Sequence, residues 1–226
     1  MNLKNKTVLI TGASSGIGKA ISDALILKGA KVISFDIKPN TNSSEDITHF
    51  TVDITKYNQI EDAVNKIKGT LDIVINNAGT MRRGEILENT EEDFDALFAV
   101  NVKGAWLVLK ALKQKLSPNA KIVQMCSRHA INLPTNPALY GLSKKMMMDM
   151  GEIISKTYPN YSVEILCPGP VNTELTRVDT TKEQMEEKKK IMEEPEKIAE
   201  KTIELLELDN KSHLIFDKNT AIHSLK

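Results

Sequence analysis

The stretch from residue 6 to residue 36 constrains this chain more than any other. Residues 6–10 are a short β-branched and apolar run, which reads as a buried strand. It leads into Thr11-Gly12-Ala13-Ser14-Ser15-Gly16-Ile17-Gly18. A helical pattern follows through Ala20, Ile21, Ala24, Leu25 and Leu27, and Gly29 ends it. Residues 31–36 are the next strand, so the segment closes a βαβ unit. A glycine-rich loop between a strand and a helix lets a pyrophosphate approach the backbone, and the helix N-terminus adds N–H groups and a favourable dipole. The spacing is Gly-x-x-x-Gly-x-Gly, not the G-x-G-x-x-G of the standard dinucleotide fingerprint. A tight turn alone could use such a loop; the strand–loop–helix–strand order favours the binding reading. Asp36 ends the second strand, where an acid can take the adenosine ribose hydroxyls. A carboxylate there repels a 2′-phosphate, and Ser15 and Ile37 bring no positive charge, so NAD is expected over NADP. Lys38 is the feature that pulls the other way.

The alternation continues. Strands are expected at residues 47–54, 71–76, 121–126, 161–167 and 213–216, with helices at 57–68, 90–115, 137–158, 174–190 and 195–208. Residues 71–76 are apolar apart from Asp72, as suits a parallel strand covered on both faces. Thr90 with Asp93 resembles a capping pair. This order predicts a Rossmann-type α/β fold: a doubly wound parallel sheet of about seven strands with helices on both faces, in three layers. At 226 residues the chain is one domain, 1–226, in which 173–195 leaves room for a small substrate lid.

Residues 127–144 carry the chemistry. Pro137 suits a first helical turn, and Asn136 or Thr135 could cap it. Tyr140 then sits near a helix start, with Lys144 one turn later on the same face. A free phenol has a pKa of about 10, too high for a base near neutrality. A nearby ammonium and the positive helix end are expected to favour the phenolate. Ser127, at the end of the preceding strand, can offer a hydroxyl to a substrate oxygen while Tyr140 exchanges a proton with it. Taken alone, Tyr-x-x-x-Lys is a common pattern with no chemistry attached.

Composition removes other classes. Thirty basic and thirty acidic residues balance, so nothing points to nucleic acid or an anionic membrane. No run approaches the roughly 20 apolar residues of a membrane helix, and the N-terminal apolar run is too short for a signal peptide. Cys126 and Cys167 end strand-like runs and read as buried free thiols, and the four histidines show no ligand spacing, so no metal is expected. A cytoplasmic location follows as the expectation.

These residues resemble the short-chain dehydrogenase/reductase family along nearly the whole chain. The matching pieces are Thr11-Gly12-x-x-x-Gly16-x-Gly18, Asp36, Asp53, Asn76-Asn77-Ala78-Gly79, Asn101, Ser127, Tyr140-x-x-x-Lys144 and Pro168-Gly169-x-Val171-x-Thr173. The resemblance implies an oxidoreductase that moves a hydride between NAD(H) and an alcohol/carbonyl substrate. It implies Tyr140 as general acid/base, Lys144 as its pKa-lowering partner and ribose ligand, and Ser127 as the polariser of the substrate oxygen. Asn101 would hold a water in a proton relay. Gly12, Ser15, Ile17 and Gly18 would line the pyrophosphate and adenosine ribose, Asp36 would take the ribose hydroxyls and Asp53 the adenine. Asn77 and Gly79 would lie along the cofactor, and Val171 and Thr173 would meet the nicotinamide amide. Ser14, Gly16, Ile54, Ala78, Pro168 and Gly169 join the same cofactor-binding set. A homodimer or homotetramer is implied, since the apolar residues of the Tyr140 helix cover more than one stripe. A non-catalytic dinucleotide sensor or scaffold on the same fold is the alternative. Arg82, Arg83, Arg128, His129 and Arg177 fall near rim positions, which suggests a polar or anionic substrate.

Overall fold

The computed structural model describes residues 1–39, 44–178 and 180–208, and the backbone of 213–216 and 222–224. Eight strands form one sheet in the order β3-β2-β1-β4-β5-β6-β7-β8. They are β1 (Thr7–Thr11), β2 (Lys31–Asp36), β3 (Ile47–Thr51), β4 (Leu71–Asn76), β5 (Leu116–Met125), β6 (Ser162–Cys167), β7 (His213–Phe216) and β8 (Ile222–Ser224). The first seven run parallel, and β8 pairs antiparallel with β7. This is the expected Rossmann-type α/β fold with one strand more than the seven counted. Val8, Leu9 and Ile10 are fully buried, which is why β1 reads as continuously apolar: helices cover both of its faces.

Helices α1 (Gly16–Leu27) and α9 (Pro195–Glu207) pack on one face through Ile21, Leu25, Ile198 and Leu206. The other face takes α2 (Tyr57–Lys66), α4 (Ala105–Leu112) and α6 (Ala138–Thr157), through Ile60, Val64, Val108, Leu112 and Met147. The sheet's order reverses between β1 and β4, so their C-terminal ends diverge and open a crevice there.

Several boundaries differ from the periodicity. The helix expected over 90–115 is α3 (Glu91–Phe98), a π-helical turn (Ala99–Gly104) and α4. Its start is a true capping box between Thr90 and Asp93. β5 begins five residues early, at Leu116, because Leu116 pairs with Leu71 ahead of an irregularity that holds Pro118, which has no N–H to give a ladder. The expected helix over 174–190 is two pieces, α7 (Glu174–Arg177) and α8 (Lys182–Lys189), the second with its own capping box from Thr181 and Gln184. A short helix, α5 (His129–Asn132), separates Ser127 from α6. Pro137 is not in the first turn of α6. It precedes that turn with extended backbone after a cis Asn136–Pro137 bond, and no side chain caps this end.

Candidate active site

The glycine loop is built to a tight tolerance. Gly12 has φ +69°, a conformation that L side chains rarely adopt, and its N–H donates to Phe35 O at 2.8 Å. A Cβ on Gly18 would lie 2.0 Å from Gly12 O and 2.5 Å from Asn77 Nδ2. Thr11 and Asn77 hold the arrangement. Thr11 Oγ1 accepts from the N–H groups of Asn77 and Ala78, both at 3.0 Å, and Asn77 Nδ2 donates to Thr11 O and Gly12 O at 3.0 and 3.1 Å. Asn77, expected along the cofactor, thus has its amide committed to bracing the loop. Thr11, whose side chain the motif left without a role, is the hub of that brace.

A cleft of about 740 Å³ opens above these strand ends. Of the residues singled out from sequence, Gly12, Ser15, Gly16, Ile17, Asp36, Asp53 and Ile54 line one end. Asn77, Ala78 and Gly79 line its middle, and Ser127, Tyr140, Lys144, Pro168, Gly169, Val171 and Thr173 the other parts. Ser14, Gly18 and Asn101 stand behind the wall. Ser14 N–H donates to Asp36 Oδ2 and Lys38 N–H to Asp36 Oδ1, both at 2.9 Å, which fixes the carboxylate and leaves lone pairs on each oxygen. Asp53 Oδ1 accepts from the N–H and hydroxyl of Thr55. A larger apolar concavity, about 1220 Å³, lies between α4 and α6, but it holds none of the predicted site residues.

At the catalytic end Ser127 lies against the Tyr140 hydroxyl, and His129 N–H donates to Ser127 Oγ at 3.2 Å. Lys144 Nζ donates to Met125 O at 2.9 Å and lies 5.9 Å from the Tyr140 ring centroid. Both side chains are buried. Burial pushes Tyr140 up to about 12, against the smaller lowering effect of its Ser127 hydrogen bond. Burial also lowers Lys144 below its ordinary value. This reverses the expected shift of the phenol: desolvation outweighs the favourable neighbours. Burial is also the main cause that lowers the His129 imidazole, followed by the nearby charges of Arg128, Arg83 and Lys188. The His129 ring packs edge-on against Tyr140, 5.8 Å between centroids.

Asn101 sits in the π-turn with no exposed surface. Its Oδ1 accepts from Thr80 N at 2.8 Å, and its Nδ2 donates to Thr80 O at 3.0 Å and Ser143 Oγ at 2.9 Å. Ser143 in turn donates to Tyr140 O at 2.8 Å. The amide expected to hold a water is therefore committed to protein partners. Ser143 links Asn101 to the Tyr140 turn and went unnoticed in the sequence; its signal was a small polar residue on the inward face, three positions after Tyr140. Gly79 fills the corner: a Cβ there would lie 3.2 Å from Asn101 Oδ1 and 3.3 Å from Lys144 Nζ.

Three of the rim arginines act as tethers. Arg83 donates to Val178 O at 3.0 Å and Thr180 Oγ1 at 2.8 Å, tying the segment after α7 to the loop after β4. Arg82 bonds Met81 O and pairs with Asp93, and Arg177 bonds Asn172 Oδ1. Cys126 and Cys167 are both free and buried, and burial raises Cys126 well above the usual thiol range. Among the described residues no group of three or more His, Cys, Asp or Glu could hold a metal ion, and no helix is long and apolar enough to cross a membrane.

A Rossmann-type sheet with this cleft at its crossover defines a class that known proteins now identify. The short chain dehydrogenase profile matches residues 6–184. An uncharacterized oxidoreductase of Thermotoga maritima is 34% identical over 195 residues, covering 77% of this chain and 75% of that protein. A NAD-dependent glycerol dehydrogenase of Listeria innocua is 30% identical, covering 77% and 74%. The crystal structure of a short chain dehydrogenase family protein from Francisella tularensis superposes with TM-score 0.83 at 28% identity, covering 89% and 91%. The chain belongs to the short-chain dehydrogenase/reductase family of oxidoreductases.

Proposed function

We propose that this protein is a NAD-dependent oxidoreductase that interconverts a small alcohol and its carbonyl compound, with Tyr140 as general acid/base. The observation that carries the reading is the convergence of Ser127, Tyr140 and Lys144 at one end of a cleft whose other end is the glycine loop and Asp36. A dinucleotide fits this cleft on its own geometry. Gly16 and Ile17, the first residues of α1, line it, so the helix N-terminus borders the space a pyrophosphate would take. The loop residues 12–18 would hold the pyrophosphate, Asp36 the ribose hydroxyls, and 168–173 the nicotinamide end. Asp36 favours NAD, since its carboxylate would repel a 2′-phosphate.

When bound, the nicotinamide supplies or takes a hydride at the substrate carbon. Ser127 Oγ, aligned by the His129 N–H, hydrogen-bonds the substrate oxygen and stabilises its developing charge. Tyr140 gives its hydroxyl proton to that oxygen in reduction and takes it back in oxidation. Lys144, anchored on Met125 O, keeps an ammonium beside the phenol and is placed to meet a ribose hydroxyl. Asn101 positions Thr80 and the Tyr140 turn. Residues 173–178 and 180–195 would form a small lid over the substrate. The apolar concavity between α4 and α6, with Trp106 and Met146 each 48% exposed, supports a homodimer or homotetramer. Light scattering on a size-exclusion column would read a monomer if that part is wrong.

Fluorescence titration with NADH and NADPH, followed by turnover of a panel of alcohols and carbonyl compounds, tests the reading. The expected result is tighter NADH binding, and turnover that Tyr140→Phe abolishes while binding is kept. Binding of NADH with no turnover on any panel member would favour a dinucleotide sensor instead. Binding of neither would end both.

A further inference from the structure

The cleft carries three cationic side chains, Lys38, Arg82 and Lys144. Lys144 is bound at Met125 O beneath Tyr140, and Arg82 pairs with Asp93. Only Lys38 stands beside Asp36: its N–H donates to Asp36 Oδ1, and its carbonyl accepts from Ser14 Oγ at 3.4 Å. Among the described residues it is by position the one cation that could answer a phosphate on the adenosine ribose, and by charge alone it should weaken the discrimination that Asp36 imposes.

Its ammonium is turned elsewhere. Lys38 Nζ bonds Glu174 Oε2 at 2.8 Å. Glu174 is the first residue of α7, 136 positions further along the chain, and it lines the same cleft. We propose that Glu174 is a specificity-determining residue for the cofactor: it holds the Lys38 ammonium away from the ribose edge, so that Asp36 alone decides against a 2′-phosphate. The inference rests on the dinucleotide reading above. The two shifts agree with the geometry, since the hydrogen bond raises Lys38 and lowers Glu174. Asp36 adds a smaller attraction at Lys38, and Arg177, bonded to Asn172 Oδ1, a smaller one at Glu174. Exposed pairs of this kind move an equilibrium by only a few-fold, which sets the size of the effect to look for.

The test is a titration of wild type, Glu174→Gln, Lys38→Met and the double variant with NADH and with NADPH at low salt. Glu174→Gln keeps the shape and removes the charge. It should raise NADPH affinity relative to NADH by roughly fivefold. Lys38→Met should leave the ratio near its wild-type value, and in the double variant it should erase the gain. An unchanged ratio in Glu174→Gln overturns the inference. So does a gain that survives in the double variant, because Glu174 would then repel the phosphate directly. Either result in a chain that binds NADH leaves the cofactor reading standing. Binding of neither dinucleotide by the wild type overturns that reading, and the inference with it.

Discussion

Asn101→Ala separates two roles that the same residue could have. If Asn101 only carries a water for proton transfer, its loss slows turnover and leaves the fold alone. Its hydrogen bonds argue otherwise. The amide spans Thr80 N, Thr80 O and Ser143 Oγ at 2.8, 3.0 and 2.9 Å, from a position with no solvent exposure. Each such bond contributes about 1 kcal/mol net, and a buried amide left without a partner costs about 1–3 kcal/mol. Ser143 keeps Tyr140 O as a partner, so the Thr80 backbone bears most of the loss. The sum is about 3 kcal/mol. With a urea dependence of about 2 kcal/mol per molar, the unfolding midpoint should fall by about 1.5 M. NADH affinity should fall in the same variant, because Thr80 follows directly on the loop of Asn77 and Gly79. Urea unfolding read by circular dichroism, beside a dinucleotide titration, measures both. A midpoint within about 0.3 M of wild type, together with lost turnover, would refute the brace and restore the relay.

Four further outcomes follow from particular residues. Tyr140 is buried with a pKa of about 12, against 10.0 for an ordinary phenol, so the unfolded chain gives up this proton first. Relative to Tyr140→Phe, the wild type should keep its full stability below pH 10 and lose about 2–3 kcal/mol as pH rises from 10 to 12, seen in paired urea melts. His129 is shifted downward, so its neutral form is favoured in the fold. The wild type should lose stability relative to His129→Gln as pH falls below about 6.5, and equal melts at pH 5 and pH 8 would contradict this. Gly18→Ala places a methyl 2.0 Å from Gly12 O and should cost about 3 kcal/mol and most dinucleotide affinity. Gly69→Ala meets nothing within 4 Å but has φ +78°, so it should cost about 1 kcal/mol of conformational strain and leave binding intact.

What the sequence made legible is what one local rule decides. Val8, Leu9 and Ile10 announce a doubly covered strand because nothing polar interrupts them. Gly12 and Gly18 announce a close-packed loop because no other residue fits their space. Ser127, Tyr140 and Lys144 meet because a strand end and a helix start are fixed points of a doubly wound sheet. The rest depends on partners far away in the chain. The π-turn at Ala99–Gly104 has no period to mark it, and what holds its Asn101 is Thr80 and Ser143. Lys121, the first residue of the strand expected over 121–126, is fully buried opposite Glu164 at 3.6 Å. The run after Glu174 is charged all round, so no apolar stripe records that it breaks into α7 and α8. Arg83 looked like a free rim charge because Val178 and Thr180 lie 95 and 97 positions away.

The sign of the Tyr140 shift carries the proposed chemistry further than the motif does. Proximity alone suggests that Lys144 and the helix end should make a phenolate. Burial moves the two groups the other way: the phenol up to about 12, the ammonium down. Each charge is penalised when it stands alone in this pocket, but a phenolate and an ammonium formed together are neutral as a pair. Tyr140 therefore holds its proton until a more basic oxygen appears beside it. A developing alkoxide on the substrate, already bonded to Ser127, is such an oxygen. On the proposed reading, the protein groups by themselves would then favour donation, the direction of carbonyl reduction. In the oxidative direction Tyr140 must lose the same proton, and that requires further positive charge brought next to it. Comparing the two directions at pH 7 with one substrate pair tests this. Without correction for the equilibrium, the reduction rate should change little between pH 6 and 9, and the oxidation rate should climb by about tenfold per pH unit, as the proton released in each turnover requires. An oxidation rate already flat at pH 7 would mean that the bound state has overturned the balance burial sets.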